Sequence, residues 1–150
     1  RLFQSAPINK ILTIEASGIG IACIAAQYFS VPVVFAKKGA HRNVGENLYT
    51  SEVFSFTKNK AYLIGVSKDY LGPDDHVLVI DDFLANGQAA LGLINILKEA
   101  GAQIAGVGIV IEKSFQTGRA LVEETGIPVV SLARIAGFDQ GQVIFAEADL

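Results

Sequence analysis

Two adjacent carboxylates, Asp81 and Asp82, mark the part of the sequence best suited to chemistry. They follow the dense apolar run at residues 76–80, which predicts a buried strand, and they precede a short loop and a predicted helix at residues 89–100. Carboxylates accept hydrogen bonds from sugar hydroxyls and stabilise a positive charge that develops nearby. We therefore interpret the pair as facing a sugar or an incipient cation.

The loop after the acid pair has the features of a phosphate-binding turn. Gly87 allows a tight turn that leaves the backbone exposed. The backbone N–H groups there point toward the start of the following helix, where the helix dipole favours an anion. Strand, acid pair and loop together predict a ribose-phosphate site, with the phosphate bound by Ala85, Asn86, Gly87, Gln88 and Ala89.

The rest of the chain alternates strands with helices around this loop. Strands are predicted at residues 10–15, 31–36, 52–57, 61–66, 76–80, 104–111, 129–133 and 143–146. Helices are predicted at residues 19–29, 89–100 and 118–125, and the polar residues 39–50 predict an exposed, mobile loop. Two of the strands, at residues 52–57 and 61–66, alternate as an antiparallel pair would. The near-continuous apolar strands predict an α/β fold with a central, mainly parallel sheet flanked by helices.

The residues best able to bind a ligand collect where the predicted strands end. In parallel sheets a ligand sits at the carboxyl ends of the strands, so these groups are expected to share one edge. Each group alone has an ordinary structural explanation, such as a turn, a solvated lysine pair or a core phenylalanine. Their coincidence favours a site drawn from Glu15, Ala16, Ser17, Gly18, Lys37, Lys38, Asp81, Asp82, Glu112, Lys113, Ser114 and Phe115.

Composition limits the classes of protein to which the chain can belong. Its 150 residues are 51% hydrophobic and 18% charged, which predicts one folded domain. The net charge of -3 argues against a general nucleic-acid binder. The single cysteine cannot form an internal disulfide, so we expect a cytoplasmic protein. Residues 16–36 carry no charge, but Pro32 would break a spanning helix, so no membrane segment is predicted.

The segment around the acid pair, VLVIDDFLANGQA, resembles the diphosphoribosyl-binding motif of type I phosphoribosyltransferases. With EASG and VVFAKK upstream and IVIEKSF downstream, the resemblance covers nearly the whole chain, and it is strongest with the bacterial members that act on xanthine. The broader family usually carries hydroxyl residues where Ala85 and Ala89 stand. The backbone therefore carries more of the expected phosphate contact here.

The resemblance implies a type I phosphoribosyltransferase (Rossmann-like) fold over residues 1–150. It makes residues 39–50 the flexible loop that closes over the site. The chain begins with Arg1, in what reads as the end of a helix, so we expect an N-terminal hood segment of the family to be missing.

The resemblance also implies a reaction and roles for the donor-side residues. Ribose 5-phosphate would pass from phosphoribosyl pyrophosphate to the purine, with Mg²⁺ as cofactor and pyrophosphate as leaving group. The 5-phosphate is assigned to residues 85–89 and the ribose to the catalytic carboxylates of Asp81 and Asp82. The turn at residues 15–18 and one lysine of the pair at residues 37 and 38 are assigned to pyrophosphate.

On the acceptor side, the resemblance assigns the purine 6-oxo group to Lys113 and ring stacking to Phe115. A lysine ammonium donates hydrogen bonds and accepts none, so Lys113 favours xanthine, guanine or hypoxanthine over adenine. The residues leave open which of the three is the substrate, because nothing in them identifies the group that meets purine C2.

A second class of function stays open at this point. Purine-responsive repressors share the fold and bind phosphoribosyl pyrophosphate as an effector without transferring it. They need a basic DNA-binding domain, which is not visible in this acidic chain. We therefore expect small-molecule substrates, no nucleic acid and no membrane as partners. We also expect a homodimer, because so apolar a chain often buries one face against a second copy.

Overall fold

The computed structural model describes residue 3 and residues 5–40, 47–56 and 59–147. Eleven elements follow one another along these residues. They are β1 (Lys10–Ile14), α1 (Ser17–Phe29), β2 (Val33–Lys38), β3 (Leu48–Ser55), β4 (Lys60–Ser67), β5 (His76–Leu84), α2 (Gln88–Ala100), β6 (Gln103–Lys113), α3 (Gly118–Glu123), β7 (Val129–Asp139) and β8 (Gln142–Phe145).

The strands form one eight-stranded sheet in the order β3-β4-β2-β1-β5-β6-β7-β8. The five central strands, β2, β1, β5, β6 and β7, are parallel. At one edge, the β3-β4 hairpin joins β2 in antiparallel pairing, and at the other edge β8 folds back on β7. The predicted α/β fold with a mainly parallel sheet is therefore confirmed.

The core lies in two layers, one on each face of the sheet, because side chains alternate along a strand. On β1, Ile11 packs in the cluster with α1, whereas Leu12 packs in the cluster with α2. On β5, Leu78 lies on the α1 side and Val79 on the α2 side. All four side chains are buried, which explains why these strands read as continuous apolar runs.

Several strands run further than their apolar runs predict. β2 continues through Lys37 and Lys38, because these residues pair with Gly65 and Ile64 of β4. β5 continues through the acid pair to Leu84, since its backbone stays paired with β6, so the predicted loop that begins at residue 83 is wrong at its start. A polar side chain does not end a strand whose backbone still has a partner.

The predicted mobile loop at residues 39–50 is corrected at its end. β3 begins at Leu48, where the backbone pairs with Ser67 of β4, so residues 48–50 belong to a strand. Residues 41–46 of that predicted loop lie outside the described residues.

The helix α1 covers only part of its face of the sheet. Ala22 and Ala26 are buried, but Cys23 is exposed, Ile24 is 61% exposed and Tyr28 is 86% exposed. Cys23 is exposed because only one side of this uniformly apolar helix meets the sheet. No helix among the described residues has the length and hydropathy to cross a membrane.

Candidate active site

The predicted phosphate loop connects the end of β5 to the start of α2. Residues 85–87 form the bend, and Gln88 and Ala89 form the first turn of α2. Gly87 caps the helix with a φ of 77°, a left-handed conformation that favours glycine. No side chain caps this helix start by a hydrogen bond, so its first N–H groups point into the space above the loop. That arrangement suits a bound phosphate.

The start of α3 lies directly against this loop, a contact that sequence reasoning missed. The N–H of Gly118 donates a hydrogen bond to the carbonyl oxygen of Ala85 at 3.0 Å. A Cβ atom on Gly118 would come within 2.4 Å of that oxygen and 2.8 Å of the Gly87 nitrogen. The only sequence signal that could have indicated this contact was Gly118, followed by Arg119, shortly after residues 112–116.

A small cavity of about 180 Å³ lies over the loop. Its far wall comes from the β3-β4 hairpin, which brings Phe54, Phe56 and Tyr62 opposite the loop. The Phe54 and Phe56 rings meet edge to face with centroids 5.0 Å apart. These aromatic residues were not predicted as part of the site, because nothing local in the hairpin shows that it folds toward β5.

The two carboxylates of the acid pair differ in environment. Asp81 is 5% exposed, whereas Asp82 is only partly buried. The carboxylate of Asp81 accepts a hydrogen bond from the backbone N–H of Asp82 at 2.9 Å. The pKa of Asp81 is raised to about 7, mainly by burial; the Asp82 side chain adds to this rise, and the charge of Lys38 opposes it. Asp81 therefore titrates near neutrality.

The turn after β1 reaches the acid pair from the other side. Ala16 and Ser17 are exposed at the start of α1, which no side chain caps by a hydrogen bond. A Cβ atom on Gly18 would lie 3.0 Å from the Asp81 carboxylate, so glycine permits this close approach. The Glu15 carboxylate accepts a hydrogen bond from the backbone N–H of Lys38, which ties this turn to the end of β2.

The two lysines at the end of β2 differ in position. Neighbouring residues of a strand point to opposite faces, so Lys37 and Lys38 diverge. The ammonium of Lys38 lies 6.0 Å from the Tyr62 ring centroid and acts electrostatically on Asp81. Burial and the charge of Asp81 together raise the pKa of Tyr62. The structure therefore brings Lys38, Tyr62 and Asp81 into one electrostatic group.

The predicted base-binding residues lie at the end of β6, where Lys113 is the last residue of the strand, and just after it. The Lys113 ammonium sits 5.2 Å from the ring centroid of Phe83. Phe115 is 50% exposed and meets Phe138 of β7 edge to face, with centroids 6.1 Å apart. Phe83 and Phe138 were not predicted here, because their placement depends on how β5 and β7 flank β6. Lys113 therefore lies over one exposed ring, and Phe115 and Phe138 form a separate exposed aromatic pair.

A cavity larger than the one over the loop lies away from the acid pair. It measures about 700 Å³ and lies in the seam between β2 and β4, with the two lysines at one end. Its walls are mostly apolar and hold no carboxylate pair or uncapped helix start. We therefore identify the candidate active site by its chemistry at the strand ends rather than by cavity size.

Comparison with known proteins agrees with this geometry. The family model for the phosphoribosyl transferase domain matches residues 4–125. The xanthine phosphoribosyltransferase of Clostridium novyi (strain NT) is 63% identical over 145 residues, which are 97% of this chain and 76% of that protein. The xanthine phosphoribosyltransferase of Streptococcus thermophilus is 53% identical over 148 residues, 99% of this chain and 77% of that protein.

Solved structures give the same fold at lower identity. The APRTase of Giardia lamblia complexed with 9-deazaadenine has a TM-score of 0.80 and 27% identity, covering 90% of this chain and 74% of that one. The adenine phosphoribosyltransferase of Rhodothermus marinus has a TM-score of 0.77 at 23% identity, over 89% of this chain and 73% of that one, which supports the fold alone. The chain therefore belongs to the phosphoribosyltransferase family of glycosyltransferases, within the group of relatives named xanthine phosphoribosyltransferase.

Proposed function

We propose that this protein transfers the 5-phosphoribosyl group of phosphoribosyl pyrophosphate to xanthine, forming XMP and pyrophosphate in purine salvage. The observation that carries the proposal is the junction of β5 and α2, where a carboxylate pair with Asp81 buried and Asp82 partly buried precedes an uncapped, glycine-bent helix start. The relatives named for this activity, at 53–63% identity, support the choice of xanthine.

The donor is held first by its 5-phosphate. Backbone N–H groups of the loop at residues 85–89 and the start of α2 supply donors and a favourable dipole. Neither Ala85 nor Ala89 offers a hydroxyl, so the phosphate depends on these backbone groups. The aromatic side chains of the β3-β4 hairpin line the small cavity above the loop.

The acid pair acts on the ribose. Asp81 and Asp82 accept hydrogen bonds from the ribose hydroxyls, which orients the ring. Bond breaking at the anomeric carbon generates positive charge, as in glycoside hydrolysis, and nearby carboxylates stabilise that charge. Asp81 contributes fully only when it is ionised, since its neutral form carries no charge.

The leaving pyrophosphate lies between the start of α1 and the end of β2. In the turn of Glu15, Ala16, Ser17 and Gly18, the exposed residues Ala16 and Ser17 offer backbone donors, and Lys38 supplies a positive charge that acts on Asp81. Lys37 points to the other face of β2, so it is less well placed to contact the pyrophosphate. These groups stabilise the negative charge that the diphosphate gains on departure.

Magnesium fits this site as a cofactor that arrives with the donor. No group of three or more His, Cys, Asp or Glu side chains suited to a metal occurs among the described residues. Mg²⁺ is commonly bound by one or two carboxylates together with substrate phosphates, and Asp81 and Asp82 would be those carboxylates. When bound, it supplies charge neutralisation for the diphosphate.

The purine binds on the β6 side. Lys113 donates a hydrogen bond to the 6-oxo group, and Phe115, backed by Phe138, offers a ring for stacking. The 6-amino group of adenine is a poor partner for an ammonium, since both are donors. This preference separates the chain from its structural relatives named for adenine.

The direct test is nucleotide formation from phosphoribosyl pyrophosphate, Mg²⁺ and each of xanthine, guanine, hypoxanthine and adenine. We expect XMP to form with the highest kcat/KM and adenine to be inactive. Faster turnover of guanine or hypoxanthine would keep the reaction and overturn the substrate. Binding of phosphoribosyl pyrophosphate without transfer to any base would contradict the enzyme assignment and favour a regulator.

We also propose a cytoplasmic homodimer. The exposed side of α1 is apolar, with Ile24 and Tyr28 more than half exposed. An apolar helix face of this kind is typical of subunit interfaces. Light scattering at micromolar protein should give twice the monomer mass of 15.9 kDa. A monomer would contradict the proposal, and Tyr28→Glu should dissociate the dimer if this face forms it.

A further inference from the structure

A buried ion pair that no proposed catalytic step uses lies behind the base-binding lysine. Glu112, near the end of β6, is 1% exposed. The Arg119 guanidinium of α3 donates to both of its carboxylate oxygens, with Nε to Oε1 at 2.9 Å and Nη2 to Oε2 at 2.6 Å. The Ser131 hydroxyl of β7 donates to Oε2 at 2.6 Å.

The carboxylate of Glu112 stays ionised despite its position. Burial by itself would raise the pKa of Glu112, but hydrogen bonds from Arg119 and Ser131, and the charges of Arg119 and Arg134, outweigh burial and lower it. A charge-assisted, two-pronged contact of this kind fixes the relative orientation of its partners as well as their distance. Here the partners belong to three different elements, β6, α3 and β7.

Arg119 is adjacent to the residue that supports the phosphate loop. Its neighbour Gly118 donates its N–H to the carbonyl oxygen of Ala85, with no room for a side chain between them. Arg119 also donates from Nη1 to the carbonyl oxygen of Val129 at 3.0 Å. The guanidinium therefore joins the first turn of α3 to both β6 and β7.

Glu112 is adjacent to the residue that would bind the purine. It directly precedes Lys113, and its backbone pairs in register with Leu84, the last residue of β5 before the phosphate loop. One ion pair thus connects the end of β6, which presents Lys113, to the start of α3, which supports the loop of the donor phosphate.

We propose that Glu112 and Arg119 are positioning residues that hold the phosphate loop and the base-binding lysine at the separation needed for transfer. The inference rests on the proposed function, because it assigns the two ends of the ion pair to donor and acceptor. Misplacement of reacting groups by about 1 Å can cost roughly a hundredfold in rate, so an ion pair behind the site can affect catalysis without touching substrate.

The test compares Arg119→Lys with Glu123→Gln as a matched control. Lysine keeps the charge but lacks the planar fork that contacts both oxygens of Glu112. Glu123→Gln removes the charge of the exposed carboxylate that lies 3.0 Å from Arg119 Nη1, and it leaves Glu112 in place. We expect Arg119→Lys to raise the KM for phosphoribosyl pyrophosphate about tenfold and the control to change it by less than about twofold.

Amide hydrogen exchange supplies a second readout that does not need activity. In Arg119→Lys the Gly118 amide should exchange about tenfold faster, while the amides of Leu78 and Val79 in the core of β5 keep the wild-type rate. A purely stabilising role would instead accelerate all three amides together. Glu112→Gln, which keeps the size of the side chain, should have the same local effect and serves if Arg119→Lys does not fold.

The outcomes separate the two proposals. If the wild-type protein forms no nucleotide, the proposed function fails, and the exchange experiment still tests the positioning role. If the wild type is active and Arg119→Lys has unchanged KM and unchanged Gly118 exchange, the positioning role is wrong. Acceleration of core and Gly118 amides to the same extent would also overturn it.

Discussion

The backbone N–H of Gly118 donates a hydrogen bond to the carbonyl oxygen of Ala85 at 3.0 Å, so α3 begins in direct contact with the candidate phosphate loop. The two residues are far apart in sequence, and they meet because α3 and the loop both follow parallel strands that end at the same edge of the sheet. This contact makes the shape of the loop depend on a residue outside it.

The first prediction concerns Gly118→Ala. The new Cβ would lie 2.4 Å from the Ala85 oxygen, so either α3 or the loop must shift. We expect the KM for phosphoribosyl pyrophosphate to rise about tenfold or more, with a smaller change in the KM for xanthine. Steady-state kinetics checks this. Gly72→Ala is the control, because nothing lies within 4 Å of its added Cβ; equal kinetics for both variants would contradict the prediction.

The second prediction concerns the acid pair. Asp82→Asn keeps the shape of the side chain but removes the charge that would stabilise the positive transition state. We expect kcat to fall by about a hundredfold while the thermal midpoint changes little, since Asp82 is only partly buried. Asp74→Asn, an exposed carboxylate in the turn before β5, is the control. Full activity in Asp82→Asn would remove this residue from the mechanism.

The third prediction is a pH dependence of stability that comes from Asp81. Its pKa is raised from 3.8 to about 7 in the folded protein, mainly by burial, so the folded state holds a proton that the unfolded state has lost between these values. The stabilising effect is complete below about pH 3.8 and disappears as the pH rises through about 7. Its upper limit is on the order of 4 kcal/mol.

Asp81→Asn should cancel this dependence, because an amide does not titrate. Urea unfolding from pH 4 to pH 9 should show the variant gaining stability relative to the wild type as the pH rises. A constant difference across that range would mean that the pKa of Asp81 is not raised. The same carboxyl should make wild-type kcat/KM rise through about pH 7 where Asp81 ionises.

The fourth prediction separates the neighbouring lysines of β2. Lys38→Ala should raise the KM for phosphoribosyl pyrophosphate about tenfold and weaken product inhibition by pyrophosphate, because Lys38 shares a face with Asp81 and Tyr62. Lys37→Ala, one residue away on the opposite face, should change either value by less than about twofold. A larger effect from Lys37 would reverse the assignment.

The fifth prediction concerns base recognition. Lys113→Met removes the only proposed donor to the 6-oxo group while keeping an apolar stem over Phe83. We expect the KM for xanthine to rise at least about tenfold, with little change in the KM for phosphoribosyl pyrophosphate. The control is Lys60→Met at the exposed start of β4. A rise in the KM for phosphoribosyl pyrophosphate alone would contradict the prediction, because it would mean that Lys113 contacts the donor and not the base.

The order of elements around the acid pair was predictable because its signals are local. Apolar runs such as His76 to Ile80 form strands wherever a sheet can take them, and Gly87 and Gly101 adopt the left-handed conformation that ends or begins a helix. The predicted ends of the strands were less accurate than their order. Phe83, Lys37 and Lys38 extend strands because a partner strand continues beside them, and partners are not visible in a local pattern.

The sequence by itself determined the alternation of strands and helices and the acid pair before the glycine turn, because these depend on residue types at short spacing. The role of Lys113 toward a 6-oxopurine comes from the family resemblance and stays a prediction. Only the tertiary structure placed Lys38 where its charge acts on Asp81. It also buried Asp81 enough to raise its pKa, and it set α3 against the phosphate loop. These properties depend on contacts between residues that are distant in the chain. Such contacts form, and contribute free energy, only once the sheet has folded.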